Sequence, residues 1–277
     1  MRIFLASDIH FEFHNNIDWL PPLPTADMFD VLVLAGDIGH GSWLAEGLRR
    51  LRKHFPSKPI VYVAGNHEFY RRNITRSPLN TIDIDDFYFL EKNSVTLFGY
   101  QFVGTTLWTG FDMLGAEHVD RAMHEAMYSV ADFMEIRTED RTDTAPKPAR
   151  ITPQQMRALY QESKAWLDAA LAQTDADRTV VVTHFPPGRE FRHGLIRESL
   201  IAAYFQADCV DLILRHQPAL WLYGHNHWSN IHACGKTRVV SNQFGYPNEH
   251  TGYQADMIIE LPVVSTTTQH PLSGGRR

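Results

Sequence analysis

Short runs of apolar residues, rich in β-branched side chains, recur along the chain, and each ends in a polar or glycine-containing turn. Five of these runs are predicted to be buried strands, at residues 2–6, 31–35, 60–64, 179–183 and 220–223. Runs of about four to eight such residues, bounded by turn signals, are typical of strands inside a sheet. The pattern therefore predicts a protein whose core is built on β-sheets.

The segment between the second and third strands has helical periodicity. Leu44, Leu48 and Leu51 recur at helical spacing within residues 42–55, and Ser42 precedes them as the predicted N-cap. A strand, a helix and a strand in this order indicate a parallel crossover connection. We therefore expect an α/β fold.

Other elements follow from local signals. A long helix is predicted to begin after Thr152, because Pro153 suits the first helical position and Gln155 completes a capping box. Further strands are predicted at residues 95–98, 101–103, 238–241 and 257–261. The first two flank Gly99 and Tyr100, a two-residue turn typical of a hairpin, so an antiparallel segment is expected to join the sheet.

The composition narrows the class of protein and its partners. The formal net charge of −6 disfavours nucleic acid as a partner, since that affinity depends on Lys and Arg neutralising phosphates. No apolar run approaches the roughly 18 residues that a membrane span requires, and Asp8 and His10 come too early for a signal peptide, so a cytoplasmic location is expected. Cys209 and Cys234 are the only cysteines, and their wide separation favours two free thiols over a disulfide or a thiolate zinc site.

Residue types that bind metals follow each of the five predicted strands. In chain order these groups are Ser7-Asp8-Ile9-His10, Gly36-Asp37, Gly65-Asn66-His67-Glu68, His184 and Gly224-His225-Asn226-His227. Ligands of open α/β sheets bind beyond the carboxyl ends of the strands, so the five groups are expected to converge on one site. Carboxylates, an amide and imidazoles without thiolates suit Mn, Fe or Zn, and more than four ligands imply more than one ion.

The ordered set resembles the pattern of the calcineurin-like metallophosphoesterase superfamily, which runs D-x-H, GD, GNH with an acidic residue, a lone H, and GH-x-H. The match extends over roughly residues 1–250. The resemblance implies an α/β fold, a four-layer α/β/β/α sandwich with two mixed β-sheets flanked by helices. It also implies a dinuclear metal-dependent phosphoesterase, which hydrolyses a phosphate mono- or diester through attack of a metal-bound hydroxide.

The resemblance further implies roles for individual residues. The first metal ion would be held by Asp8, His10 and His227, and the second by Asn66, His184 and His225. Asp37 would bridge the two ions, and His67 would be the catalytic residue that stabilises the transition state or protonates the leaving alkoxide. A bridging carboxylate keeps two cations close enough to share one hydroxide and to clamp the phosphoryl oxygens.

Basic residues near two of the motifs are candidates for binding the phosphate oxygens of the substrate. They are Arg71, Arg72, Arg189 and Arg192. The expected substrate is a small phosphorylated molecule, and the motifs are compatible with a monoester or a diester. His40, three residues after Asp37, is left outside the ligand set, and its role stays open.

One domain is expected over residues 1–264. Within it, residues at about 112–150 are predicted to form a helical or loop insertion that caps the site and sets the size of the substrate. Residues 265–277 are expected to form a flexible tail.

Two other functions are compatible with parts of the pattern. A scaffold that keeps the fold, has lost catalysis and binds proteins is disfavoured because every ligand position and His67 are present. Another dinuclear hydrolase, such as an amidohydrolase or a β-lactamase-like enzyme, is disfavoured by motif order, because His225 and His227 come late in the chain and an HxHxDH run is absent. The phosphoesterase is therefore the leading hypothesis.

Overall fold

The structure is a computed structural model that describes residues 1–14, 16, 18–79, 83–139, 149–195 and 199–263. In chain order its strands are β1 (Arg2–Ala6), β2 (Val31–Ala35), β3 (Ile60–Val63), β4 (Phe87–Phe89), β5 (Asn93–Leu97), β6 (Tyr100–Thr105), β7 (Thr179–Thr183), β8 (Leu220–Tyr223), β9 (Asn230–Cys234), β10 (Thr237–Ser241) and β11 (Ile258–Glu260). Its α-helices are α1 (Ser42–His54), α2 (Val119–Ser129), α3 (Asp132–Glu135), α4 (Pro153–Leu171) and α5 (Val210–His216).

The strands form two mixed sheets. The first has the order β11-β1-β2-β3-β4, with β11 antiparallel to β1 and the other pairs parallel. The second has the order β5-β6-β7-β8-β10-β9, in which β6, β7, β8 and β10 are parallel and the edge strands β5 and β9 are antiparallel to their neighbours. All five strands predicted from the apolar runs are present, although β3 ends at Val63.

Successive side chains of each strand lie on opposite faces of its sheet and belong to two different hydrophobic cores. Ile3 and Leu5 of β1 share one buried cluster with Val180 and Val182 of β7, which fills the space between the sheets. Phe4 and its neighbours on the opposite face share a second cluster with the leucines of α1 and with apolar residues of α4. This alternation is the period of a strand buried on both faces. The predicted four-layer α/β/β/α sandwich is confirmed.

Two local predictions needed correction. Ser42 is not the N-cap of α1 but its first residue; the N-cap is Gly41, whose φ of 60° and ψ of −127° suit a residue without a Cβ. The hairpin between β5 and β6 turns at Phe98 and Gly99 instead of Gly99 and Tyr100, because Phe98 and Gly99 both have positive φ. Tyr100 is a buried strand residue that pairs with Leu97.

The predicted start of α4 is confirmed. Thr152 Oγ1 accepts a hydrogen bond from Gln155 N at 3.2 Å, and Gln155 Oε1 accepts one from Thr152 N at 2.9 Å, so both halves of the capping box are formed. Pro153 occupies the first turn of the helix, where its missing N–H leaves no bond unmade.

We expect Thr152→Ala to lower the free energy of unfolding by about 1 kcal/mol, because the substitution leaves a helix N–H without its acceptor. Urea denaturation of the variant and of wild type would measure the difference. Gln154→Ala, at an exposed position of the same turn, is the control and should change the stability by less than about 0.5 kcal/mol. Equal losses in the two variants would show that the cap contributes nothing measurable.

Part of the predicted insertion lies within the described residues. The helix α2 packs against α4 and against a 3₁₀ turn at Ile201–Phe205, and main-chain hydrogen bonds join Arg71 and Ile74 to residues 135–137. Residues 140–148 and the predicted tail at 265–277 lie outside the described residues. The single-domain boundary and the cap stay predictions.

Among the described helices, none is both long and apolar enough to cross a membrane. Both cysteines carry free thiols, and Cys209 is buried whereas Cys234 is partly exposed.

Candidate metal centre

The five motif groups converge where the parallel strands β1, β2, β3, β7 and β8 end. Main-chain hydrogen bonds join the loops to one another: Asp8 N donates to Gly36 O at 3.0 Å, His10 N to Asp37 O at 3.1 Å, and Gly224 N to His184 O at 2.9 Å. These bonds join neighbouring loops within each sheet, and His225 N, which donates to Asp8 Oδ1 at 3.0 Å, joins the loops of the two sheets. The side chains that they carry are therefore held in place by backbone, which favours precise ligand geometry.

Five of the motif residues have a left-handed backbone. They are Asp8, His10, Asp37, His225 and His227, with φ values of 55°, 50°, 53°, 79° and 52°. Such conformations are uncommon for residues other than glycine and cost of order 1 kcal/mol each. Strain of this kind clusters at functional sites, where the surrounding structure maintains it.

Two glycines allow the carboxylates to approach the backbone closely. A Cβ at Gly65 would overlap Asp37 Oδ1, and a Cβ at Gly224 would lie 2.7 Å from Asp8 Oδ2. Real Cβ atoms essentially never come this near to an oxygen. At these two positions of the GNH and GH-x-H motifs, therefore, a residue with a Cβ would clash with its neighbours.

The first cluster of potential ligands consists of Asp8, His10 and His227, whose donor atoms lie within 4.8 Å of one another. His10 Nε2 is 3.1 Å from His227 Nε2, and His227 Nε2 is 3.6 Å from Asp8 Oδ1. The Asp8 carboxylate also accepts hydrogen bonds from His225 N and from Ser7 Oγ. Asp8 and His10 are fully buried.

The second cluster consists of Asp37, His184 and His225, again with donor atoms within 4.8 Å. Asn66 Oδ1 joins it, 3.0 Å from His184 Nε2 and 3.2 Å from His225 Nδ1. His184 Nδ1 lies 2.8 Å from Ala35 O, which orients the ring with Nε2 toward Asn66. The structure thus brings together all seven residues predicted as metal ligands.

Asp37, a member of the second cluster, also lies beside the first. Its Oδ2 is 3.8 Å from His10 Nε2 and 3.4 Å from His184 Nε2, while Oδ1 accepts a hydrogen bond from His67 N at 2.9 Å. Burial acts to raise the pKa of Asp37, but the neighbouring charges of His184 and His67 outweigh it and lower the pKa well below its ordinary value. The carboxylate is therefore held ionised.

Acidic residues outside the predicted set support this site. Glu68, fully buried, accepts three main-chain hydrogen bonds from Asp37 N, Ile38 N and Gly65 N, and so ties two motif loops together. Glu249 Oε2 lies 2.5 Å from His227 Nδ1 and fixes that ring. A carboxylate partner on the far ring nitrogen is a common support for a metal-binding histidine.

Asp132, the first residue of α3, supports the second cluster. It is fully buried and accepts a hydrogen bond from Asn66 Nδ2 at 2.9 Å, which leaves the amide oxygen facing the histidines. The hydroxyls of Tyr70 and Tyr204 also donate to its carboxylate, at 2.9 and 2.5 Å. Burial raises the pKa of Asp132, and these three hydrogen bonds act against that rise. Asp132 therefore determines which way the Asn66 amide points.

His67 lies beside the clusters and is 6% exposed. Its Nδ1 is 3.1 Å from Glu12 Oε1, and its Nε2 is 3.2 Å from the Tyr246 hydroxyl. Burial acts to lower the pKa of His67, but the charges of Asp37 and Glu12 outweigh it and raise the pKa to about 9. The same Glu12 oxygen lies 3.2 Å from His10 Nδ1.

Glu12 itself is held ionised by these two histidines. Burial acts to raise its pKa, but the hydrogen bonds with His10 and His67 outweigh it and lower the pKa to about 2. Sequence reasoning missed Glu12, although its place two residues after His10 was the available signal.

A cavity of about 600 Å³ opens over the clusters. Its polar wall includes Asp37, Asn66, His67 and His227, and its apolar wall includes Leu195, Ile201 and Phe205. Candidate ligands therefore form part of the cavity wall. Clefts of this size are typical of small-molecule sites.

The four arginines predicted to bind substrate are not among the described residues that line this cavity. Arg71 pairs with Glu135 and is 69% exposed, and Arg72 donates to the carbonyl oxygens of Pro78 and Gly41. Arg189 is exposed and Arg192 partly exposed, and the neighbouring Arg197 lies outside the described residues. His40 also does not line the cavity; its ring is 6.2 Å from that of Tyr70.

Comparisons with known proteins found relatives in sequence and in structure. An uncharacterized protein of Acanthamoeba polyphaga mimivirus is 25% identical over an alignment of 303 positions, gaps included, that covers 94% of this chain and 97% of the viral protein. The phosphopantetheinyl hydrolase of Mycobacterium tuberculosis has a similar structure, with a TM-score of 0.62 and 21% identity over 88% of this chain and 89% of that one. A putative 5′-nucleotidase of Staphylococcus aureus gives a TM-score of 0.46 at 12% identity, over 87% of this chain and 48% of that one.

The family model described as calcineurin-like phosphoesterase matches residues 1–229, which contain all five motif groups. A match over this much of the chain, together with the two-sheet fold, establishes the family. The chain belongs to the calcineurin-like phosphoesterase family.

Proposed function

We propose that the protein is a dinuclear metal-dependent phosphoesterase that hydrolyses a phosphate mono- or diester. The observation that carries the proposal is the position of Asp37 Oδ2, 3.8 Å from a histidine nitrogen of one cluster and 3.4 Å from one of the other. Two ligand atoms at about 2.1 Å from one ion lie roughly 3.0–3.4 Å apart at ordinary coordination angles. The 3.4 Å separation falls within this range, and the 3.8 Å separation requires a wider angle of about 130° or a small adjustment of the side chains. One carboxylate oxygen therefore lies near enough to both clusters to be proposed as a ligand of two ions.

The proposed ligand sets follow the clusters. The first ion is held by Asp8, His10 and His227, the second by Asn66, His184 and His225, and Asp37 is shared. When bound, two such ions lower the pKa of a water molecule between them and neutralise the phosphoryl oxygens of the ester.

The contacts within the clusters favour a cation. His10 Nε2 and His227 Nε2 face each other at 3.1 Å, an arrangement in which at most one nitrogen can donate if both rings are neutral. A metal ion would satisfy both lone pairs at once. Imidazole, carboxylate and amide donors suit Mn, Fe or Zn, which we propose as the metals.

We assign His67 as the catalytic residue. Its Nε2 is directed toward the cavity and the Tyr246 hydroxyl, while Glu12 holds Nδ1. A histidine anchored through Nδ1 can present a proton on Nε2 to the leaving alkoxide of the substrate. Glu12 acts here as a positioning residue for His67.

The test is re-metallation of chelator-treated protein with Mn, Fe, Zn, Ni or Mg in separate samples. Each sample is assayed for bound metal and for hydrolysis of p-nitrophenyl phosphate and bis-p-nitrophenyl phosphate. We expect two ions per chain and metal-dependent turnover, lost by at least about 10²-fold in His67→Ala. His54→Ala, at the exposed end of α1, is the matched control and should behave as wild type.

Two outcomes would contradict the proposal. Two bound ions without turnover of either ester would favour a scaffold that has kept the site and lost catalysis. One ion or none under every metal would contradict the assignment of ligands.

A further inference from the structure

A second cavity of about 740 Å³ adjoins the one above the metal clusters. The two share Tyr246, Glu249 and His250, so the loop that carries these residues separates them. The Tyr246 ring lies 4.6 Å from the ring of His10 and 4.5 Å from that of His227. A phosphate placed at the metal clusters would therefore have the second cavity within reach, across Tyr246.

The wall of the second cavity is rich in aromatic side chains. They are Trp19, Trp228, Phe244, Tyr246 and Tyr253. All five are only partly buried, and one face of the Trp19 ring is stacked on the ring of His14 at 3.4 Å. Phe244 packs its ring 5.5 Å from that of Trp19 and 5.2 Å from that of Tyr253, and these contacts hold three of the rings as one unit.

Main-chain hydrogen bonds join the loop that carries part of this aromatic wall to the first of the candidate metal-binding loops. Phe244 N donates to Ser7 O and Gly245 N to Asp8 O, both at 2.9 Å, so the loop is attached to the residues of the first motif. The Tyr253 hydroxyl donates to Pro22 O at 2.7 Å and joins the loop to the segment beside Trp19. The distance from the wall to the candidate metal site is thereby fixed, which is what a substrate subsite requires.

The charge of the two cavities limits the phosphate that they accept. Among the described residues lining them, Asp37, Asp132 and Glu249 are acidic, and neither Lys nor Arg is present. Positive charge at the phosphate would then come from the metal ions and from His67, and the described lining residues offer no Lys or Arg for additional phosphate groups. A singly charged diester fits this wall better than a polyphosphate does.

We infer that the second cavity binds an aromatic group of the substrate, and that the substrate is a phosphodiester with one such aromatic-bearing arm. The inference rests on the proposed function, because it places the phosphate at the metal clusters. Water adds to phosphorus, the bond from phosphorus to one ester oxygen breaks, and the alcohol leaves with a proton while a phosphate monoester remains. Stacking on aromatic side chains is tolerant of ring type, so the structure assigns a planar ring system.

Two phosphinates test the subsite without being hydrolysed. Benzyl(methyl)phosphinate and dimethylphosphinate are both tetrahedral monoanions without an ester bond, and they differ by one aromatic ring. Their binding to metal-loaded protein is measured by isothermal titration calorimetry. We expect the benzyl compound to bind about tenfold more tightly, within the range of stacking on an aromatic side chain.

Variants separate the subsite from general apolar contact. Trp19→Leu and Phe244→Leu keep apolar volume but remove a ring, and each should reduce the tenfold preference to about threefold or less. Trp166→Leu removes a partly buried Trp on α4, which does not line either cavity, and should leave the preference unchanged. Thermal unfolding of each variant confirms that it is folded.

The outcomes for the subsite and for the proposed function can be told apart. Equal binding of the two phosphinates, or a preference that survives in Trp19→Leu and Phe244→Leu, would overturn the subsite even if the esters are hydrolysed. A preference lost in those variants would support the subsite, and failure of every metal to give ester turnover would then count against the proposed function alone. More than tenfold higher kcat/KM for p-nitrophenyl phosphate than for its diester would overturn the diester assignment.

Discussion

Asp37→Asn is expected to reduce bound metal from two ions per chain to one or none, and to lower kcat/KM by at least about 10³-fold. The amide can still accept the hydrogen bond from His67 N, but it has no charge to share between two cations. Charge stabilisation by a metal pair contributes several kcal/mol to such reactions, and a loss of about 4 kcal/mol corresponds to about 10³ in rate.

Metal analysis and steady-state kinetics on the purified variant would measure both effects. Asp30→Asn is the matched control, because Asp30 is partly exposed and pairs with Arg2 away from the site. That control should retain two ions and wild-type turnover. If Asp37→Asn also retains two ions and its kcat/KM, Asp37 does not bridge the metals.

The fold and the ligand clusters could be predicted because their signals are local. A strand buried on both faces is apolar along most of its length, so β1, β2, β7 and β8 stand out as apolar runs. The polar residue that follows such a run lies at the carboxyl end of its strand. Neighbouring parallel strands end at the same edge of the sheet, so these polar residues lie close together. The sequence analysis did not predict β4 and β9. These strands are only partly buried, so their composition is mixed and gives no apolar run.

The residues that orient the ligands could not be predicted in this way. Asp132 meets Asn66 across 66 positions of sequence, and Glu249 meets His227 across 22. Neither acidic residue follows a predicted strand, and nothing in its immediate sequence distinguishes it from a carboxylate on the surface. The contacts that they make arise from burial and from the folded path of the chain at α3 and in the loop after β10.

Proximity in sequence to a motif does not by itself place the arginines at the cavity. Arg71 and Arg72 follow the GNH motif closely, yet the chain turns away after Tyr70 to form main-chain hydrogen bonds with residues 135–137. Arg71 itself has a positive φ of 61° at this turn. Whether any arginine binds substrate stays a prediction, and a change in KM after each Arg→Ala substitution would test it.

Glu12→Ala is expected to lower kcat by about 10²-fold while KM and the metal content at saturating metal change little. The substitution removes the oxygen that lies 3.1 Å from His67 Nδ1, so the ring loses both its anchor and a neighbouring negative charge. General acid catalysis by a positioned side chain contributes about 10²–10⁴-fold, so loss of positioning should cost part of that range. Glu12→Gln keeps an acceptor but not the charge, and its kcat should lie between those of Glu12→Ala and wild type.

Combination with His67→Ala distinguishes positioning from a general loss of structure. If Glu12 acts through His67, the double variant should be no slower than His67→Ala alone, because two groups that act as a unit are not additive. Glu46→Ala, at a partly exposed position of α1 that does not line the cavity over the clusters, is the control and should leave kcat unchanged. Losses that multiply in the double variant would mean that Glu12 acts through its other contact, His10 Nδ1 at 3.2 Å, and so through the first metal cluster.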